Sequence, residues 1–376
     1  MAGPVGHATP DEPVPPDAPT DPAVPIALLV DLSSGTILFA SNAERRFIPA
    51  SITKVMTLYV AFEMIAAGKL EPEQRFPLSD DTFRAWNNRG SNMFMPAGSE
   101  ASVDDLLRGI ATVSANDGAM VLAEGAAGSI DRWVAQMNRT ARDLGMKNSH
   151  FGTPNGWPDH GRTFTTAEDL TILARAMITR HPELYARYIG KPDFRFNGIA
   201  QANRDPISGS LEGADGIKTG FTNQAGYGFL GSAIRDRRRL IVVVAAAETE
   251  SARNRQARAL LEWGFAATSS RPLFEPGATV GQALVQNGDG LTVPLVAGAS
   301  GITAAMASST KPDLLLDIHY DGPLKAPVRR GEQVAELEIR AGDMPPSRVP
   351  LYAGEGVHVA TGVTRIKNGI AGIFRW

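Results

Sequence analysis

From Phe47 to Ile65 the chain reads FIPASITKVMTLYVAFEMI, a helix-length stretch that is apolar on almost every face. A helix hydrophobic all round belongs in an interior, not at a surface. Yet this one begins with Ser51 and places Lys54 a single turn further in, and residues three apart share one helix face. A free serine hydroxyl is a poor nucleophile without an adjacent base. A lysine becomes such a base when burial lowers its pKa, and Val55, Met56, Leu58, Val60 and Phe62 supply apolar surroundings. The positive end of the helix dipole also favours negative charge developing near Ser51. The plainer reading is a capping serine followed by a surface lysine. The pair alone does not decide, because a second Ser-x-x-Lys occurs at Ser308 and Lys311, in a β-rich region before Pro312.

The chain has 376 residues, more than one core usually holds, so two domains are expected. A net charge of −3 argues against nucleic acid as a partner. The absence of cysteine excludes disulfides and thiolate chemistry. The six histidines do not cluster at ligand spacing, so no metal and no cofactor is expected; His150 and His160 read as solvated loop positions. No apolar run is long enough to span a bilayer.

Residues 1–22 are proline-rich and read as a disordered leader, without the basic start and apolar stretch of a secretory signal. Residues 23–270 open with a hairpin, VPIALLVDL and GTILFASN around Ser33-Ser34-Gly35. The polar stretch from Ser79 to Glu100 is expected to be loop. SVDDLLRGIATVS, with Ser102 as N-cap, NDGAMVLAEGAA, SIDRWVAQMNRTARDLGM and TTAEDLTILARAMITRH read as helices. After Gly190 the pattern turns to strands, with GIKTG, AGYGFLGSAI and LIVVVAAAE, closed by the helical SARNRQARALLEWGFAA. The expectation is an α/β (α+β) domain, an antiparallel sheet with helices plus an all-helical part. Residues 273–358 change to short strands between turns. In QVAELEIR, Ala335, Leu337 and Ile339 alternate with Glu336, Glu338 and Arg340, the two-residue period of a half-buried strand, and a small all-β sandwich is expected. Residues 359–376 return to helical spacing and have two readings: an element docked on the β domain, or an amphipathic tail on a membrane surface.

Two further motifs lie at element junctions, where sites are usually assembled: Ser114-Ala115-Asn116 and Lys218-Thr219-Gly220. Each alone reads as a cap or a turn. In the order Ser-x-x-Lys, Ser-x-Asn, Lys-Thr-Gly they form the trio of penicillin-binding proteins and class A β-lactamases. The segment from about Val24 to Ala267 resembles the serine-type D-alanyl-D-alanine carboxypeptidases, the low-molecular-mass penicillin-binding proteins, through ASITKVMT, VSANDGA, FGTPNGWPD, NRDP, GADGIKTGFTNQAGYGF and LLEWGF. The β domain from about Leu273 to Val357 resembles the C-terminal domain of many members.

The resemblance implies a transpeptidase-like fold that removes the terminal D-alanine from peptidoglycan stem peptides ending in D-Ala-D-Ala, and that β-lactams inhibit covalently. It implies Ser51 as the acylated nucleophile, Lys54 as its base, and Ser114 as the relay of a proton to the leaving amine. Asn116 would hold Lys54 and the substrate backbone, and Lys218 would add positive potential and orient Ser114. Thr219 would bind the terminal carboxylate on the strand that runs through Gly220, and the N–H groups of Ser51 and Phe221 would form the oxyanion hole. Arg204 and Arg253 match family arginines near that carboxylate, a group arginine suits by its bidentate geometry. The setting implied is periplasmic, peripheral to the inner membrane if the tail binds lipid. A β-lactamase would need an efficient deacylating base, and GTPNGWPDHGRTFTT has no glutamate. The same fold could also serve as an endopeptidase, or as a non-catalytic peptidoglycan-binding scaffold; intact Ser51, Lys54 and Lys218 speak against the scaffold.

Overall fold

The computed structural model describes residues 17–307, 313–342 and 346–361. The leader up to residue 16, the second Ser-x-x-Lys at Ser308 and Lys311, and the tail from residue 362 lie outside the described residues. The described residues fall into two compact units, the larger of Leu38–Phe265 with the chain up to Leu32, the smaller of the chain from Ala266 onward with Ser33–Ile37.

The larger unit is built on a five-stranded sheet. The strand order is Ile37–Ser41, Ile26–Asp31, Arg238–Ala247, Gly226–Arg235 and Ala214–Thr222. The first two strands are the predicted hairpin, and their residues Ile26, Leu28, Leu38 and Phe39 are almost wholly buried. Ile26–Asp31 pairs antiparallel with Arg238–Ala247, as do the last three strands with one another. The strand Ala214–Thr222 therefore stands at the sheet edge, where a peptide can be added.

The apolar helix is Lys54–Ala66, entered through a 3₁₀ turn at Ala50–Thr53. Ser51 thus sits on the turn and Lys54 begins the α-helix proper. The helices Val103–Thr112, Asn116–Ala127, Ile130–Leu144 and Ala167–Arg180 all pack on it, which is what a helix without a polar face demands. Their starts follow the local sequence: the hydroxyls of Ser102, Ser129 and Thr166 each accept a hydrogen bond from the backbone N–H three residues on.

The stretch after Ser79 departs from expectation. Asp80–Trp86 is a helix, capped by Ser79 Oγ accepting from Thr82 N, with Asp80 and Asp81 at its positive end. Trp86 at its end is buried and meets Trp157 edge to face, with ring centroids 5.3 Å apart. Burial of that one large ring fixes a segment whose polar composition hides it.

The smaller unit contains a six-stranded sheet and a two-stranded ribbon, Thr268–Phe274 with Ile302–Ala307. Its core gathers Val293, Leu295, Leu337, Ile339 and Leu351. In the strand Gln333–Ala341, Ala335, Leu337 and Ile339 face inward as the alternation predicts. Glu338, expected toward solvent, is only 4% exposed. It accepts from Arg340 Nε (2.7 Å) and Arg348 Nε (2.9 Å), and the hydrogen bond from Arg340 leads in holding its carboxyl below the usual range.

Candidate active site

Lys54 is fully buried, yet its ammonium has a partner for each of its three donors. Nζ lies 3.0 Å from Ser51 Oγ, 2.8 Å from Asn116 Oδ1 and 2.7 Å from the Asn155 carbonyl oxygen. Three segments far apart in the chain thus converge on one nitrogen. Burial pushes the Lys54 pKa well below its ordinary value; the charge on Lys218 adds to this, and Asp117 opposes it. Once neutral, the amine still donates two hydrogen bonds, to Asn116 and Asn155. Its lone pair is then left for the hydroxyl proton of Ser51.

Asn116 begins its helix beside Ser114, which adopts the left-handed region at φ 63°. A non-glycine residue there costs about 1–3 kcal/mol, a strain typical of functional positions. The Ser114 hydroxyl is buried and makes no hydrogen bond among the described residues. Asn116 Nδ2 donates to the Arg89 carbonyl (3.2 Å), and its backbone N–H to the Ser91 carbonyl (2.8 Å). The next residue, Asp117, accepts from the N–H groups of Met93 and Met95, tying the 89–95 loop to the same helix start.

Asn155 is placed by the loop around it. Thr57, one turn beyond Lys54, donates to the Pro154 carbonyl at 2.7 Å. Gly156 follows at φ +71°, and a Cβ there would lie 1.8 Å from the Ala50 carbonyl oxygen. Only glycine lets the loop close this tightly on the turn that carries Ser51.

The edge strand approaches from the other side. A Cβ at Gly220 would meet the Pro49 carbonyl oxygen at 2.5 Å, so this position too has no room for a side chain. Lys218 is buried, donates to the Thr219 carbonyl (3.1 Å), and has its pKa pushed down to about 7 by burial and by the charge of Arg204. Phe221 is half exposed and stacks on Tyr227 at 4.2 Å between centroids.

Between these walls lies a cleft of about 510 Å³. Ser51, Ser114, Asn116, Arg204, Thr219, Gly220, Phe221 and Arg253 all line it. Lys54 lies behind Ser51, and Lys218 is buried in the strand next to Thr219. Every residue singled out from the three motifs and the two arginines is therefore in or directly behind one cavity. Arg204 Nη1 reaches Ser91 Oγ at 3.4 Å, whereas Arg253 is 3% exposed. His150 and His160 are exposed and absent from the cleft lining.

Sequence reasoning missed Ser91, Asn155, Trp157, Tyr227 and Glu250, all of which line the cleft. Trp157 lies beneath the Arg89 guanidinium, 4.9 Å from its ring centroid. The chemical content is a hydroxyl beside a desolvated amine, a strand edge for an extended peptide, and guanidiniums for an anion. Among the described residues no group of three or more acidic or histidine side chains could hold a metal.

Comparison with known proteins gives the same picture. Residues 15–249 match the family described as D-alanyl-D-alanine carboxypeptidase, and residues 269–359 match the penicillin-binding protein 5 C-terminal domain. D-alanyl-D-alanine carboxypeptidase DacC of Escherichia coli K12 is 35% identical over 335 residues, covering 88% of this chain and 83% of that protein. The solved structure of penicillin binding protein 5 from Haemophilus influenzae superimposes with a TM-score of 0.78 at 30% identity, over 91% of this chain and 99% of that one. Penicillin-binding protein D2 from Listeria monocytogenes, solved in its ampicillin-bound form, matches 66% of this chain and all of its own, with a TM-score of 0.58 and 29% identity. The converging lysine, the strand edge and these likenesses together make this chain a member of the D-alanyl-D-alanine carboxypeptidase family.

Proposed function

We propose that this protein removes the terminal D-alanine from peptidoglycan stem peptides ending in D-Ala-D-Ala, through an acyl-enzyme on Ser51. The observation that carries the reading is the buried amine of Lys54, 3.0 Å from Ser51 Oγ and held by Asn116 and the Asn155 carbonyl. As Ser51 Oγ attacks the carbonyl carbon of the penultimate residue, its proton passes to Lys54 Nζ. The negative charge on the carbonyl oxygen is met by the backbone N–H groups of Ser51 and Phe221. Collapse breaks the C–N bond, and the leaving amine takes a proton relayed by the Ser114 hydroxyl. Lys218 supports that hydroxyl with positive potential. Water then attacks the ester, its proton returns through Lys54 to Ser51, and the shortened peptide leaves.

The substrate lies along Thr219–Phe221 as an added strand. Thr219, Arg204 and Arg253 take its terminal carboxylate, and this requirement for a free C-terminus makes the enzyme a carboxypeptidase. β-Lactams acylate the same serine, in keeping with the ampicillin-bound relative. Among the described residues no helix is long and apolar enough to cross a membrane. A peptidoglycan substrate implies an extracytoplasmic setting, and in this reading the tail makes a peripheral contact with the membrane.

The test is intact mass of the protein with excess benzylpenicillin, beside Ser51→Ala, followed by assay of D-alanine release. A mass increase of one penicillin on the wild type alone, and D-alanine release lost in Ser51→Ala, is the expected result. An unmodified wild-type chain in the presence of intact penicillin would sink the acyl-enzyme.

A further inference from the structure

Arg253 is held in place by its own helix. That helix, Glu250–Ala267, opens on the cleft, with Thr249 Oγ1 accepting from Ala252 N at 3.1 Å. Asn254 Oδ1 accepts from Arg253 Nε at 2.8 Å, and Glu250 Oε1 accepts from Nη2 at 2.9 Å. The guanidinium carbon lies 6.0 Å from the Tyr227 ring centroid. Nη1 donates no hydrogen bond among the described residues. The Arg253 side chain is 4% exposed, whereas that of Glu250 is 61% exposed. Glu250 is also the sole carboxylate among the residues lining the cleft, and no step of the chemistry above uses it.

An acidic side chain in a cleft built for an anion is an electrostatic cost unless it does something else. A guanidinium fixed beforehand loses less freedom when it binds, and this is the general source of affinity through preorganisation. Here Glu250 takes one N–H of Nη2 and Asn254 takes that of Nε, so three of the five guanidinium N–H groups, both of those on Nη1 among them, are left to donate. We infer that Glu250 is a positioning residue that fixes the Arg253 guanidinium for the free C-terminal carboxylate of the peptide, and so sets affinity for that terminus without taking part in bond breaking. The inference rests on the carboxypeptidase reading.

The experiment is steady-state kinetics of the full chain on an N-acetylated peptide ending in D-Ala-D-Ala, for wild type, Glu250→Ala and Glu250→Gln. Removing an interaction that serves ground state and transition state alike raises KM and leaves kcat alone. Glu250→Ala is expected to raise KM about tenfold, the scale of one charge-assisted hydrogen bond, with kcat within about twofold. Glu250→Gln keeps an oxygen acceptor at the same reach and is expected to recover most of that loss. Three outcomes overturn the proposal: unchanged KM in Glu250→Ala; a lower KM, which would make Glu250 a competitor of the substrate; or a glutamine variant as poor as alanine. The benzylpenicillin adduct on Ser51 is measured in parallel with saturating drug. Its formation in both variants shows that they fold and keep the nucleophile, whichever way KM moves. Its absence from the wild type would count against the acyl-enzyme and not against Glu250.

Discussion

At the scale of single residues, the proposed mechanism gives the two buried lysines opposite effects on the pH dependence of the reaction. Lys54 must be neutral to accept the Ser51 proton, so activity rises with pH through its lowered pKa. Lys218 must be charged to give the cleft its positive potential, so activity falls as pH climbs past its value of about 7. The expected profile of kcat/KM therefore has two opposing limbs, one set by the charge on Lys54 and one by the charge on Lys218. A bound carboxylate stabilises the Lys218 ammonium, so the same limb in kcat should lie at higher pH than in kcat/KM. Initial rates of D-alanine release across the pH range read both. A kcat/KM limb left in place in Lys218→Arg, whose cation does not titrate here, would remove Lys218 from this role. These residues were legible in the sequence because each motif carries side-chain chemistry at fixed local spacing. The Asn155 contribution was not legible, since Lys54 is met there by a backbone carbonyl, which any residue possesses. Glu250 was missed for another reason: an acid three residues before an arginine reads as an ordinary helical ion pair until the cleft is seen beside it.

At the scale of elements, hydroxyl caps and apolar periodicity made the long helices readable, and two-residue alternation did the same for Gln333–Ala341. The helix Asp80–Trp86 carried a proper start in Ser79, Asp80 and Asp81, but its seven residues hold too few apolar positions to show a period. The loop at 153–157 was unreadable as geometry because its shape is dictated by Thr57 and by contact with Ala50, residues about a hundred positions away. That dependence has a consequence. Gly156→Ala places a methyl group within 1.8 Å of the Ala50 carbonyl oxygen in a backbone region that disfavours it. The loop must shift, at a cost of about 1–3 kcal/mol or more. The Asn155 carbonyl shifts with it, so penicillin acylation should slow together with the fall in melting temperature. Gly161, five residues on at φ +79° with open space around its Cβ position, is the control. Gly161→Ala should cost about 1 kcal/mol through backbone conformation alone and leave acylation unchanged. Thermal denaturation and the acylation rate, measured on both variants, separate packing from conformation.

At the scale of the whole molecule, the chain forms two compact units, one of Leu38–Phe265 with the chain up to Leu32 and one from Ala266 onward with Ser33–Ile37. Each unit has an interior of its own: the larger closes around Lys54–Ala66 and the five-stranded sheet, the smaller around Leu295, Leu337 and Leu351. Cores that share no residues are free to melt independently, which breaks two-state behaviour for the chain as a whole. Every group assigned to the chemistry lies between Ser51 and Arg253, within the larger unit. A covalent ligand on Ser51 stays attached when that unit unfolds, so it raises the unit's stability through the contacts it makes in the folded cleft and not by mass action. Calorimetry of the full chain should therefore show two transitions, of which saturating benzylpenicillin moves one upward and leaves the other in place. Ser51→Ala should show the same two transitions with neither displaced. If acylation moved both by the same amount, the units would be melting as one cooperative body. The β unit would then have to be counted among the determinants of the site's stability, although no residue assigned to the chemistry lies in it.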